Sequence, residues 1–404
     1  MLHLPSIVAR QATHSHMQIF ATALCFFSLG FSTAAWAPLI PLVQNHLQIS
    51  HAQFGVLLLG AGIGSLIAMP IAGKLAHRLG CRRVLTVLLV AFMLIVPALA
   101  YGPHVIFLAI SLVLFGASAG ALGVTVNLQA VTVEKQQQKS LMSLFHGICS
   151  LGGLTGVVLM TAMLSFGWAA VTGALVVSAV IAMIILIAIP FCLTAQVENE
   201  QAQQDQKQQG SVRPSFSIIL IGLICFIAFL SEGAAMDWSG IYLTEHFKVQ
   251  QQHAGLAYSC FAALMVAGRL TGHWIIRALG EQTTLVLSAV CAGLGLMIVV
   301  FAPIWSIALL GYALLGLGSA NIVPIMFSRT GKQKQLPQHI ALSYVSVFAY
   351  TGSLTGPALV GFGSQVIGLD HVFLIIAIAL ILIAVMTMLL QTEKTSITNT
   401  ETLA

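Results

Sequence analysis

Leu230-Ser-Glu-Gly-Ala-Ala-Met-Asp-Trp-Ser-Gly-Ile-Tyr-Leu-Thr244 decides how this chain is read. It continues an apolar run that begins near Phe216, which predicts the second half of a membrane-spanning helix. Two carboxylates, Glu232 and Asp237, lie inside that span. A charged side chain near the bilayer centre costs at least ~2.5–3.5 kcal/mol on insertion scales, and such residues face a polar cavity or a partner. At about 1.5 Å rise per residue, Glu232 falls near mid-span and Asp237 about 7–8 Å further along. A structural ion pair locking two helices is one explanation. A functional site is the other, and the depth favours it.

Outward from this segment the composition agrees. Of 404 residues, 58% are hydrophobic and 7% charged, with mean hydropathy +0.98. Soluble domains carry about 25% charge, and here long apolar runs recur from end to end. An all-α membrane protein follows. A β-barrel is excluded because the runs are continuous, without alternation at period two. The net charge of +5 does not mark a nucleic-acid binder, because the basic residues gather in alternate loops. Cys25, Cys81, Cys149, Cys192, Cys225, Cys260 and Cys291 are scattered, with no C-x-x-C pair, and read as packing residues. Thirteen histidines form no metal-binding motif, and a P-loop is absent. Neither a metal, a cofactor nor enzymatic chemistry is expected. Ala35-Trp-Ala37 imitates a signal-peptide cleavage site, but the segment runs on through Pro38 and Pro41 to Val43 and is read as retained.

Twelve spans are predicted, at about 18–43, 54–75, 84–101, 105–133, 141–166, 168–193, 216–244, 254–276, 283–302, 305–327, 340–367 and 371–390. The organisation expected is a six-helix half over 1–193, a polar linker over 194–214, a second half over 215–391 and a tail over 392–404. Twelve spans put both termini on one side. Fourteen of the sixteen Lys and Arg fall there, Lys248 in an opposite loop and Arg269 within a span being the exceptions. By the positive-inside rule that side is cytoplasmic. Among the fourteen are Lys139, Lys207, Arg213 and Lys334.

The halves repeat. Leu151-Gly-Gly-Leu-Thr-Gly156 returns as Thr351-Gly-Ser-Leu-Thr-Gly356, and Gly116 returns as Gly316. Gly73-Lys-Leu-Ala-His-Arg78 returns as Gly272-His-Trp-Ile-Ile-Arg277, and Ala35-Trp36 as Asp237-Trp238. Four matches in one order predict two pseudo-symmetric bundles, with a substrate site at mid-membrane between them.

Gly73-Lys-Leu-Ala-His-Arg-Leu-Gly-Cys-Arg-Arg83 resembles the loop motif G-x-L-x-D-R-x-G-R-R/K of the major facilitator superfamily. The resemblance implies that Gly73, His77, Arg78, Gly80, Arg82 and Arg83, with Gly272 and Arg277 of the second copy, gate the cytoplasmic side. His77 stands where the motif has Asp, so the latch is expected to be weaker or pH-sensitive, and Cys81 replaces a basic residue. Asn127-Leu-Gln-Ala-Val-Thr-Val-Glu134, His146-Gly-Ile-Cys-Ser-Leu-Gly152, Glu232–Trp238 and Gly268–Gly272 are similar to the rhizopine-permease (MosC-like) branch, itself akin to fucose-type permeases.

Arg269 lies roughly 5–7 Å to the cytoplasmic side of its span's centre, and Glu232 is the nearest anion by depth. The pair is either a fixed clamp or one that protonation of Glu232 releases. His146 and Asn127 fall roughly 10–12 Å toward the cytoplasm; a proton relay or solute contact competes with simple solvation and interhelical bonding. Trp36 and Trp238 are either belt residues or faces on which a ring stacks. Asn321, Tyr344 and Tyr350 are further lining candidates. Gly60–Gly64 and Gly116–Gly120 read as close-packing surfaces, and Pro70, Pro97, Pro324 and Pro357 as kink points.

The expectation is a proton-coupled secondary transporter of a small polar solute, sugar- or cyclitol-like, in a bacterial inner membrane. Glu232 is the first choice for the proton, then Asp237 and His146. Its partners are solute, protons and lipid, and the chain is taken as a monomer. A drug efflux pump with a Met- and aromatic-lined cavity is one alternative, and a transport-inactive sensor or scaffold is another.

Overall fold

The computed structural model describes residues 4–137, 141–194, 215–333, 336 and 338–401. Among these there are helices and no strands. The first unit contributes α1 (Leu4–Ala34), α2 (Ile40–Leu47), α4 (Cys81–Tyr101), α5 (Val105–Gln137), α6 (Met142–Ser165) and α7 (Ala170–Ala188). The second contributes α8 (Phe216–Glu245), α9 (Gly255–Leu279), α10 (Glu281–Phe301), α11 (Trp305–Ser319), α12 (Ile322–Lys332), α13 (Gln338–Ile367) and α14 (Leu369–Glu401). The third helix in chain order, α3 (His51–Leu79), is divided between them. By contact the units are Met1–Leu47 with Gly60–Gln209, and Gln48–Leu59 with Gly210–Ala404.

Among the described residues twelve helical stretches are long and apolar enough to cross a membrane, each taking one of the apolar runs. Two are interrupted. In the first span, α1 gives way to a turn at Ala35–Trp36 and a 3-10 turn over Ala37–Leu39 before α2 begins. Pro38 and Pro41 lack the N–H groups that would carry the ladder across. In the tenth span the break falls at Ala320–Asn321, and Pro324 sits in the first turn of α12. A proline there forfeits nothing, because a helix's first N–H groups have no intrahelical acceptor. By contrast α3, α4 and α13 continue through Pro70, Pro97 and Pro357.

Both units reuse one packing scheme. In the first, α1 lies along α6, and α4 packs on α5 and α7. In the second, α8 lies along α13, and α10 packs on α11 and α14. The glycines predicted to allow close approach do so. A Cβ at Gly116 would strike the carbonyl of Ala61, and one at Gly316 the carbonyl of Phe261. Gly152 is likewise closed off by Phe27, and Gly352 by Phe226. Gly80 and Gly280 precede α4 and α10 with φ +81° each and ψ 151° and 159°, a conformation open to glycine and strained for other residues.

Of the expected linker, only Thr194 is described; 195–214 lie outside the described residues, as do the orientation markers Lys139, Lys207, Arg213 and Lys334. The helix of the last span runs on to Glu401 through the polar tail.

Candidate functional site

The second unit holds the predicted pair. Glu232 sits near the midpoint of the 30-residue α8, and Arg269 comes from α9, which packs beside it. Arg269 Nη2 stands 3.6 Å from Glu232 Oε2. That is an ion-pair distance, longer than the ~2.7–3.2 Å of an N–H···O hydrogen bond. Glu232 is 20% and Arg269 36% exposed, so neither side chain is fully enclosed. The other carboxylate oxygen, Oε1, is buried and has no hydrogen-bond partner among the described residues. An unmet buried acceptor costs about 1–3 kcal/mol. The carboxylate therefore keeps an acceptor that a proton on Oε1 would relieve.

One and a half turns further along α8, Asp237, Trp238 and Ser239 are buried in succession. Asp237 is 4% exposed, and no described residue bonds or pairs with it. Trp238 Nε1 and Ser239 Oγ also lack partners among the described residues. Trp238 is enclosed, with His51 and Phe54 edge-on at 5.4 and 5.9 Å. In the first unit Trp36 is equally buried, its Nε1 unpartnered. Neither indole is a surface belt residue, and neither presents an open ring face.

The remaining candidates divide. Asn127 Nδ2 donates to Gly123 O at 2.8 Å, a bond within its own helix. His146 is exposed and stands edge-on to Phe26 at 5.2 Å. Asn321 occupies the break between α11 and α12; its Nδ2 donates to Gly268 O at 3.3 Å, and its Oδ1 fills the space a Cβ at Gly272 would need. Tyr350 is 51% exposed, and Tyr344 half-buried. In the loop motif, Gly73 is half-buried, His77, Arg78 and Arg83 are exposed, Arg82 is partly covered and Gly80 and Cys81 are buried. In the second copy Gly272 is buried and Arg277 exposed.

Three polar clusters went unread in the sequence. Gln129 is buried in the first unit, its Nε2 donating to Thr22 Oγ1 at 3.0 Å and Cys192 Sγ at 3.3 Å. Its Oε1 accepts from the Leu193 N–H at 3.3 Å. In the second unit His51 meets Glu245 at 3.1 Å and Ser364 Oγ at 3.1 Å. Nearby, Asp370 Oδ1 accepts from Tyr242 Oη at 2.5 Å and lies 2.9 Å from His246 Nδ1. The offset of two hundred that relates Gly116 to Gly316 also relates Gln129 to Arg329, and was the available signal for the first cluster.

A multi-pass helical protein with two internally similar units and an ion pair at mid-helix has the architecture of a membrane transporter. The family model of the Major Facilitator Superfamily matches residues 22–332 and 221–403. An uncharacterized MFS-type transporter of Yersinia pestis is 36% identical over 369 residues, covering 91% of this chain and 94% of that one. Membrane protein MosC of Rhizobium meliloti is 32% identical over 366 residues, 90% of this chain and 88% of its own length. Among solved structures, a mutant of the nucleoside transporter NupG is similar with TM-score 0.75 at 12% identity, covering 92% of this chain and 99% of that one. A D-xylose-proton symporter is similar with TM-score 0.70 at 14% identity, covering 92% and 97%. The chain belongs to the major facilitator superfamily and is an MFS-type transporter.

Proposed function

We propose that this chain carries a small polar solute, sugar- or cyclitol-like, by alternating access coupled to protons. Glu232 holds the coupling proton, and Arg269 is its releasable partner. The observation that carries this reading is the loose contact between them, 3.6 Å, with Glu232 Oε1 buried and unmet. A contact of this length is beyond hydrogen-bond range, so a modest shift of either helix breaks it. A proton on Glu232 frees Arg269 to donate to a solute hydroxyl. Loss of the proton restores the pair and expels the solute. Asp237, buried with no partner among the described residues, is the second proton site. We assign His146, exposed on α6, and Asn127 to the solute path of the first half, 1–193, and Asn321 and Tyr350 to that of the second half, 215–391. Trp36 and Trp238 serve once movement uncovers their rings. The distribution of Lys and Arg supports cytoplasmic termini in a bacterial inner membrane.

The test uses purified protein in weakly buffered proteoliposomes with an internal pH dye. Pentoses, hexoses, cyclitols and nucleosides, ranked first by thermal shift, are added outside. A solute that stabilises the protein should carry protons with it, giving a pH change that a protonophore abolishes. Solute exchange without any proton movement would contradict the coupling. A stabilising solute that shows no exchange would contradict transport itself.

A further inference from the structure

The junction of α3 and α4, which the loop motif assigns to the cytoplasmic gate, also gathers charge beyond what that role requires. Arg78 in the last turn of α3 and Arg82 and Arg83 in the first turn of α4 line a cleft of about 460 Å³ with Leu79, Thr86 and Thr194. The cleft is held in place from behind. The Arg82 N–H donates to Leu193 O at 2.9 Å, and Thr86 Oγ1 donates to Arg82 O at 2.8 Å. No described carboxylate pairs with Arg82 or Arg83. The first turn of α4 also contains no acidic residue, although it is the positive end of the helix dipole. In the first 194 residues the sequence has a single carboxylate, Glu134, and its Oε2 is engaged by the N–H groups of Leu141 and Met142 at 2.6 and 2.9 Å.

The second copy of the repeat shows what a neutralised junction looks like. Gly80 and Gly280 share one backbone conformation, so Cys81-Arg82-Arg83 corresponds to Glu281-Gln282-Thr283. There Glu281 opens the helix, and Arg329 reaches it at 3.7 Å and Gln282 Oε1 at 3.0 Å. In the first copy a buried cysteine replaces the glutamate, Gln129 replaces Arg329 and turns inward to Thr22 and Cys192, and two arginines are added. One junction supplies its own anion. The other gathers positive charge around a cleft, and among the described residues no carboxylate pairs with its Arg82 or Arg83.

We propose that the Arg78–Arg82–Arg83 cleft binds a phosphate-type anion. Guanidinium groups match phosphate oxygens with paired N–H donors, and the hydroxyl of Thr194 adds a short-range donor. The cleft's volume lies within the ~300–1,000 Å³ of small-molecule sites. It lies where two membrane-spanning helices end, at the depth of lipid headgroups. The source is the phosphodiester of an anionic phospholipid or a free phosphate ion.

Native mass spectrometry of the full chain, offered phosphatidylglycerol and phosphatidylcholine together, tests the lipid source. Calorimetric titration of inorganic phosphate into protein in phosphatidylcholine nanodiscs tests the free ion. Preferential retention of phosphatidylglycerol, reduced roughly thirtyfold by R82Q/R83Q at about fivefold per charge, supports the lipid. It should be unchanged in R277Q, at the matching place in the second copy. Saturable phosphate binding lost in R82Q/R83Q supports the free ion. If the double variant does not fold, the exposed R83Q alone should lose about fivefold, and R82K/R83K, which keeps both charges without the paired donors, should bind better than R83Q and less well than the wild type. Neither preference nor saturation in the wild type, or binding indifferent to both arginines, would overturn the proposal.

Discussion

His51 Nε2 lies 3.1 Å from Glu245 Oε1, so the first residue of α3 is bonded to the last residue of α8. The tautomer protonated on Nε2 donates to Glu245 and leaves Nδ1, 3.1 Å from Ser364 Oγ, to accept. The ring edge meets Trp238, Phe54 is buried on the same indole, and Gly55 and Gly361 let α3 and α13 approach closely. This set keeps Gln48–Leu59 in the second unit although the rest of α3 belongs to the first.

His51→Ala should therefore loosen the start of α3 without unfolding the protein. The bonds are partly exposed, and together they contribute about 1 kcal/mol net, roughly a fivefold change in local opening. Hydrogen–deuterium exchange of peptides covering 48–59 reads this directly. Faster exchange there and at the end of α8 is expected. Unchanged exchange would assign the docking to the Phe54–Trp238 contact alone.

How much of this was legible in the sequence differs by element. Glu232 and Arg269 stood out because lone charges of opposite sign at similar depth in apolar helices demand each other. His51 and Glu245 did not, because ionisable residues at helix ends are ordinary and no pattern links positions 194 residues apart. The break at Ala320–Asn321 was hidden by continuous hydropathy. Pro324 marked the neighbourhood, but the chain bends ahead of it, where the helix can restart with the proline in its first turn. The enclosure of Trp36 and Trp238 was also invisible, since burial depends on which helices cover them.

The close-packed glycines make an internal control possible. A Cβ at Gly116 would collide with backbone, the carbonyl of Ala61, whereas one at Gly147 meets nothing within 4 Å. Gly116→Ala should cost about 1–3 kcal/mol through overpacking. Gly147→Ala should be neutral or stabilise by about 0.5–1 kcal/mol through reduced chain entropy. Thermal unfolding in detergent, followed by size-exclusion, separates the two; equal midpoints would mean α3 and α5 can spread apart freely.

Comparison of Gln129 with Arg329 predicts a rescue. Gln129 is buried, and Gln129→Arg would place a guanidinium beside Cys81, where the second copy has Glu281. An unpaired buried charge costs about 3–5 kcal/mol, so the variant should lose most of its folded yield. Adding Cys81→Glu recreates the Arg329–Glu281 pairing and should recover a good part of it. A double variant no better than the single one would show that the two copies do not share this geometry.

The most direct test concerns Glu232 in proteoliposomes under an imposed pH gradient, with the solute selected by the thermal-shift screen. Glu232→Gln imitates the protonated carboxyl and leaves Arg269 without its anion at 3.6 Å. The variant should still exchange solute across the membrane, yet fail to accumulate it when the gradient is applied. Arg269→Ala should lose both, since it also removes the donor proposed for the solute. Gradient-driven accumulation by Glu232→Gln at the wild-type level would contradict the account and transfer the proton to Asp237 or His146.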